Sequence, residues 1–106
     1  MKQWNIDYWS EKDKKSPVEK WLDDLTDDQL AAVTKKVKLL EKMGNELKMP
    51  HSFPLKKGLF ELRELHYGYR IYYGFKGKLL IILLAAGDKS SQVRDIRVAR
   101  ERLEGL

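Results

Sequence analysis

Two hydrophobic rhythms share this chain. Near the start, Trp4, Ile6 and Tyr8 alternate with Gln3, Asn5 and Asp7, the period-two pattern of a half-buried strand, predicted over Lys2–Trp9. The charged stretch Ser10–Lys15 reads as a loop. From Ser16 the spacing becomes helical, with Val18, Trp21, Leu22 and Leu25 on one face. Ser16 can cap that helix, Pro17 suits its first position, and Glu19 stands where a capping box needs it. Thr26-Asp27-Asp28-Gln29 repeats this grammar, with two acids at the positive end of the next helix dipole. The second helix is predicted to run to Lys42, with Leu30, Val33, Val37 and Leu40 as its core stripe and Gly44 as its stop. Two helices joined by a tight turn predict an αα-hairpin.

Asn45–Lys57 contains Pro50 and Pro54 and reads as a loop. Three strands are predicted after it. In Leu59–Leu65, Phe60 and Leu62 face one way, Glu61 and Arg63 the other. Tyr67–Phe75 follows a short turn near His66, and Phe75-Lys76-Gly77-Lys78 is a hairpin signal. Leu79–Ala86 is apolar on both faces, which suits a central strand. Beyond Gly87, the spacing of Val93, Ile96, Ala99 and Leu103 predicts an amphipathic helix capped by Ser90 or Ser91. The order β-α-α-β-β-β-α predicts an α+β fold, a mostly antiparallel sheet with helices packed on one face, as one domain over residues 1–106.

Composition narrows the class. Of 106 residues, 42% are hydrophobic, enough for a compact core. There is no cysteine, so neither a disulfide framework nor a thiolate metal site is available. The start, MKQWNIDYWSEKDKK, lacks the apolar region of a secretory signal. The run Leu79–Ala86 is far shorter than the about 20 residues that cross a bilayer. The expectation is a soluble cytoplasmic protein with no membrane partner. Net charge is +5, and the excess is local: residues 48–78 hold seven Lys or Arg against Glu61 and Glu64 alone. Such a segment fits a polyanion, although a solvated lysine-rich surface gives the same count.

Standard nucleotide and metal motifs are absent, and His51 and His66 have no ligand-spaced partner, so neither metal nor cofactor is expected. What remains is a set of cations on consecutive strands. Arg63 is on the polar face of its strand, and Arg70, seven residues on, can sit beside it across the ladder. Lys89 lies just past the end of the next strand. Grouped cations repel unless an anion or a carboxylate lies among them. Glu61 and Glu64 as surface ion pairs are the plain alternative. Tyr67, Tyr69, Tyr72 and Tyr73 lie nearby, mostly as packing, with one or two free to stack on bases.

Gly58-Leu59-Phe60-Glu61-Leu62-Arg63 followed by Gly68-Tyr69-Arg70-Ile71 resembles the central strands of the RelE/ParE superfamily of type II toxins. Within it the likeness is to the HigB-like, phage-derived and addiction-module-killer groups. Ser16-Pro17-Val18-Glu19 with Trp21-Leu22, Met49-Pro50-His51, and Leu83 to Gln92 with Asp95-Ile96 resemble the same groups, in order, over nearly the whole chain.

The resemblance implies a small RelE-like fold and a ribosome-dependent mRNA endoribonuclease that needs no metal. In such enzymes the RNA 2′-OH attacks the adjacent phosphate. Positive charge stabilises the phosphorane-like transition state, a task suited to the planar, permanently charged guanidinium. By resemblance Arg70 holds the scissile phosphate, Arg63 supports it, and Lys89 is a phosphate ligand or general acid. Two departures stand out: Glu61 occupies the place of a strand lysine of RelE, and Asp95 that of its catalytic tyrosine. His66 or Asp95 is then the candidate base. Lys56, Lys57, Tyr67 and Gln92 are candidate RNA contacts.

The implied partners are a cognate helix-turn-helix (HigA-like) antitoxin, the ribosome and mRNA, with DNA reached only through the antitoxin. Two alternatives are a gyrase inhibitor of the ParE type, without nuclease activity, and a non-catalytic RNA- or ribosome-binding module.

Overall fold

A computed structural model describes residues 3–106. In chain order the elements are β1 (Asn5–Tyr8), α1 (Pro17–Asp23), α2 (Asp27–Met43), β2 (Ser52–Pro54), β3 (Phe60–Glu64), β4 (Tyr69–Lys76), β5 (Leu80–Gly87) and α3 (Gln92–Glu104). Single 3-10 turns occupy Gly44–Glu46 and Lys89–Ser91. The five strands form one sheet in the order β1-β5-β4-β3-β2. β1 pairs with β5 in parallel, and the other three ladders are antiparallel. The α+β class and the mostly antiparallel sheet are as expected. Lys2, the first residue of the predicted first strand, lies outside the described residues.

Local chemistry sets the helix starts. The Glu19 amide donates to Ser16 Oγ at 3.4 Å, with Pro17 opening α1. At α2 the capping box is complete: the Gln29 amide donates to Thr26 Oγ1 at 3.3 Å, and Gln29 Oε1 accepts from the Thr26 amide at 2.9 Å. Gly44 ends α2 with φ +53°, and a side chain there would run into the Trp4 indole.

Three expectations are corrected. The predicted Asn45–Lys57 loop contains β2, a three-residue strand that includes Pro54. It pairs only with β3, and a sheet edge is where a strand tolerates proline. The helices do not share one face. Leu62, Ile71, Tyr73, Ile81 and Leu83 pack with Val18 of α1 and with Val33 and Leu40 of α2. Tyr72, Ile82, Leu84 and Ala85 pack with Ala99 of α3 on the opposite face. The apolar character of β5 on both sides is the reason: each face needs its own helical cover.

The predicted stripes of α2 and α3 also lose a member each, whereas that of α1 is kept. Leu30 is 37% exposed, and Val93 is 85% exposed because the first turn of α3 turns Asp95 inward instead. A bulge between Tyr72 and Tyr73 shifts the β4–β5 register: Tyr73 is opposite Leu83, but Tyr72 is opposite Ala85. Among the described residues no helix is long and apolar enough to cross a membrane.

Candidate active site

The register places the two arginines where the spacing predicted. Arg63 of β3 is directly opposite Arg70 of β4, and Arg70 is opposite Gly87 of β5. The next row of the sheet is Glu61, Tyr72 and Ala85. Side chains two apart on a strand share a face. Glu61 and Arg63 therefore join Arg70 and Tyr72 on the α3 side, at the sheet end that the first turn of α3 only partly covers. The bulge is what keeps the end of β5 in step with this face.

Glu61 is the centre of the cluster and is 0% exposed. Its Oε1 accepts from Arg63 Nε at 2.5 Å, and its Oε2 accepts from Gln92 Nε2 at 3.0 Å. Arg70 Nε lies 3.7 Å from Oε2, an ion pair too long for a hydrogen bond. Phe53 lies under the Arg63 guanidinium, 3.8 Å from Cζ to the ring centre. Among the described residues, three buried side-chain polar atoms have no hydrogen-bond partner: Arg70 Nε, Arg70 Nη1 and the Tyr72 hydroxyl. Burial, then the charge of Glu61, pushes the Tyr72 phenol well above its ordinary range. Glu61 is thus no surface ion pair. Glu64 is not one either: its carboxylate accepts from the His66 and Tyr67 amides at 2.7 and 2.9 Å and fixes the β3–β4 turn.

The other predicted residues divide. Lys89 is exposed in the 3-10 turn after Gly87 and has no ion-pair partner among the described residues. Its neighbour Asp88 caps that turn, accepting from the Ser90 amide and hydroxyl, and these bonds hold its carboxyl below the usual range. The expected serine cap of α3 is corrected accordingly: Ser91 sits at the N-cap without a side-chain capping bond. Gln92 enters the cluster, bound to Glu61.

Asp95 is 6% exposed, accepts from Ser91 Oγ at 2.5 Å, and lies against Gly87, where any side chain would strike it. His66 is exposed in the turn joining the two arginine strands, edge-on to Tyr67 at 4.5 Å. Tyr67 stacks on Tyr69, which meets Trp21 of α1, so its ring belongs to the face away from the arginines. Lys56 and Lys57 precede β3, at its far end from Arg63, so they are not brought to the cluster. An apolar cleft of about 270 Å³ between Leu47, Met49, Pro54, Phe60 and Phe75 lies on the α1–α2 side and holds none of these groups.

Spacing offered Glu61 only as a surface ion pair and Tyr72 only as packing or stacking, not as members of the site. The signal was present, since each stands two residues from an arginine on the same strand face. Burial gave the carboxylate its importance, and burial is not a local property.

Comparison with known proteins supplies the context. Residues 20–104 match the family described as phage derived protein Gp49-like (DUF891). An uncharacterized protein of Haemophilus influenzae is 48% identical over 44 residues, 41% of this chain and 44% of that protein. The match thus spans less than half the length of that relative. Among solved structures, the E. coli toxin RelE in a double-mutant free state superposes with a TM-score of 0.68 at 14% identity, over 95% of this chain and 98% of that one. The isolated E. coli RelE toxin gives 0.58 at 15% identity, over 92% and 97%. The extent of the family match and the shared architecture together mean that this chain belongs to the phage-derived Gp49-like family and is built on the RelE toxin fold.

Proposed function

We propose that this chain is the toxin of a toxin–antitoxin pair and that it cuts mRNA on the ribosome. The observation that carries this reading is Arg70, whose side chain is 15% exposed while two of its guanidinium nitrogens lack hydrogen-bond partners. A largely buried cation directly opposite a second arginine, with the Glu61 carboxylate between them, has the chemistry of an anion site. The scissile phosphate meets this guanidinium at its exposed edge, because Nε lies toward Glu61 and Nη1 is closed to solvent.

In this mechanism the 2′-oxygen forms a bond to phosphorus and the bond from phosphorus to the 5′-oxygen breaks, leaving a 2′,3′-cyclic phosphate. Arg70 and Arg63 meet the non-bridging oxygens as charge builds on them. Lys89, exposed and unpaired, stands at the rim as phosphate ligand or as proton donor to the departing 5′-oxygen. The Asp95 carboxylate is engaged by Ser91 beneath the end of β5, so it serves as a support for α3. His66 is the base candidate: its ring makes no hydrogen bond among the described residues, but it packs edge-on against Tyr67 and must swing toward the arginines to act. A helix-turn-helix antitoxin, the ribosome and mRNA are the partners this reading requires.

The deciding variant is Arg70→Ala, assayed on ribosomes programmed with mRNA. Cutting falls by about 10²–10³-fold, the scale of losing one preorganised transition-state donor, while the thermal midpoint stays within a few degrees. Undiminished toxicity accompanied by stalled DNA replication would instead identify a gyrase inhibitor.

A further inference from the structure

We propose that Glu61 is a positioning residue, a buried carboxylate that hydrogen-bonds the Nε edge of Arg63 and pairs by charge alone with the Nε edge of Arg70, so that the exposed edges of both guanidinium groups face the phosphate. This rests on the nuclease reading above. A guanidinium offers two edges to an oxyanion, one containing Nε and one made of the two Nη groups. A carboxylate that took the Nη fork would compete with phosphate for it. Glu61 instead meets Arg63 through Nε at 2.5 Å and approaches Arg70 through Nε at 3.7 Å. Neither Nη group of Arg63 donates to another described residue; Arg70 Nη1 is also unbonded but closed to solvent, so the exposed part of that side chain carries its phosphate contact.

The carboxylate is itself held. Gln92 donates to Oε2 from the first turn of α3, and Phe53 supports the Arg63 plane from β2. Glu61 therefore ties three strands and a helix to one pair of cations. Its charge also matters. Two arginines and one carboxylate leave a single net positive charge, matched to the single negative charge of a phosphodiester. A merely neutralising carboxylate and a positioning one make opposite predictions when it is replaced by its neutral isostere. Without the negative charge, simple attraction to phosphate grows; without the oriented arginines, transition-state stabilisation falls.

The test is Glu61→Gln, read as a split between binding and turnover. Single-turnover cutting at saturating programmed ribosome is expected to fall about 10- to 100-fold, the scale of a small misplacement of catalytic groups. Affinity for mRNA made uncleavable by 2′-deoxy substitution stays the same or tightens. Cutting that is unchanged or faster would mark Glu61 as a brake and overturn the inference. So would a proportional loss of binding and cutting.

Because the variant removes a buried charge and can fail to fold, a second measurement uses the wild-type protein. With 15N-labelled arginine side chains, the Arg63 Nε–H is expected to exchange slowly with solvent. On adding the 2′-deoxy-substituted oligonucleotide it stays protected while the Nη signals of Arg63 and Arg70 shift. Loss of Nε–H protection on addition would overturn the inference. Wild-type protein that shows these shifts but does not cut mRNA would count against the nuclease reading alone.

Discussion

Tyr72 places a phenol hydroxyl beside the Glu61 carboxylate with no exposure to solvent and no hydrogen-bond partner among the described residues. Its pKa in the fold is raised, first by burial and then by the charge of Glu61. The unfolded chain ionises this group near pH 10, before the folded chain does. Above that point the unfolded state binds fewer protons than the native one, so stability falls as pH rises. The contribution is fully present below about pH 10 and is lost through the alkaline range beyond it. Urea unfolding followed from pH 8 to 11 is expected to show this decline, and Tyr72→Phe to flatten it. Tyr73 and Tyr8 are raised in the same direction, again chiefly by burial, so the flattening is partial. An identical decline in Tyr72→Phe would place the effect elsewhere. Gly87 shows the same dependence on neighbours: its lack of a side chain leaves room for the Asp95 carboxylate and the Ser91 hydroxyl.

The elements differ in how locally they are specified. α2 carries its own start signal, and that signal is realised as a reciprocal pair of bonds between Thr26 and Gln29. Thr26→Ala removes the hydroxyl acceptor and is expected to cost about 1 kcal/mol, a drop of about 4–8 °C in thermal midpoint for a domain near this size. A midpoint unchanged within 1 °C in calorimetry would mean that packing, not the cap, holds the start of α2. Gly44 was legible as the end of this helix, but not the reason it must stay glycine, which is the ring of Trp4, distant in sequence and packed directly against it. β2 was not legible. Three residues ending in proline have no period of their own, and only pairing with β3 makes them a strand. α3 was legible in its later turns through Ile96, Ala99 and Leu103. Its first turn was not, because Gln92 and Asp95 face polar partners and Val93 faces solvent.

Across the whole molecule, the positive segment wraps more than one surface. Lys56 and Lys57 form a turn with φ of +73° and +52°, followed by Gly58 at +80°, and Arg100 donates to the Leu55 and Lys56 carbonyls. That turn lies at one end of β3 and the arginine pair at the other, so the cations serve separate contacts on any long polyanion. Replacing both lysines by alanine is expected to weaken RNA binding similarly across sequences. The slope of log affinity against log salt should shrink by about 0.7 per lysine removed, as for single-stranded phosphate contacts. A salt titration with the same slope as the wild type would show that this turn does not touch the RNA backbone.

The sequence by itself determined the helices, the three long strands, the turns between them and the pairing of Arg63 with Arg70. These follow from caps, periods and loop lengths, which act over a few residues. The tertiary structure alone decided that α3 covers the opposite face from α1 and α2, and that a bulge in the β4–β5 ladder keeps Gly87 in line with Arg70. It alone decided that Glu61, a surface residue by its alternation, is fully buried between the arginines and Gln92. Burial and charge pairing are sums over residues far apart in the chain, and no local pattern carries them.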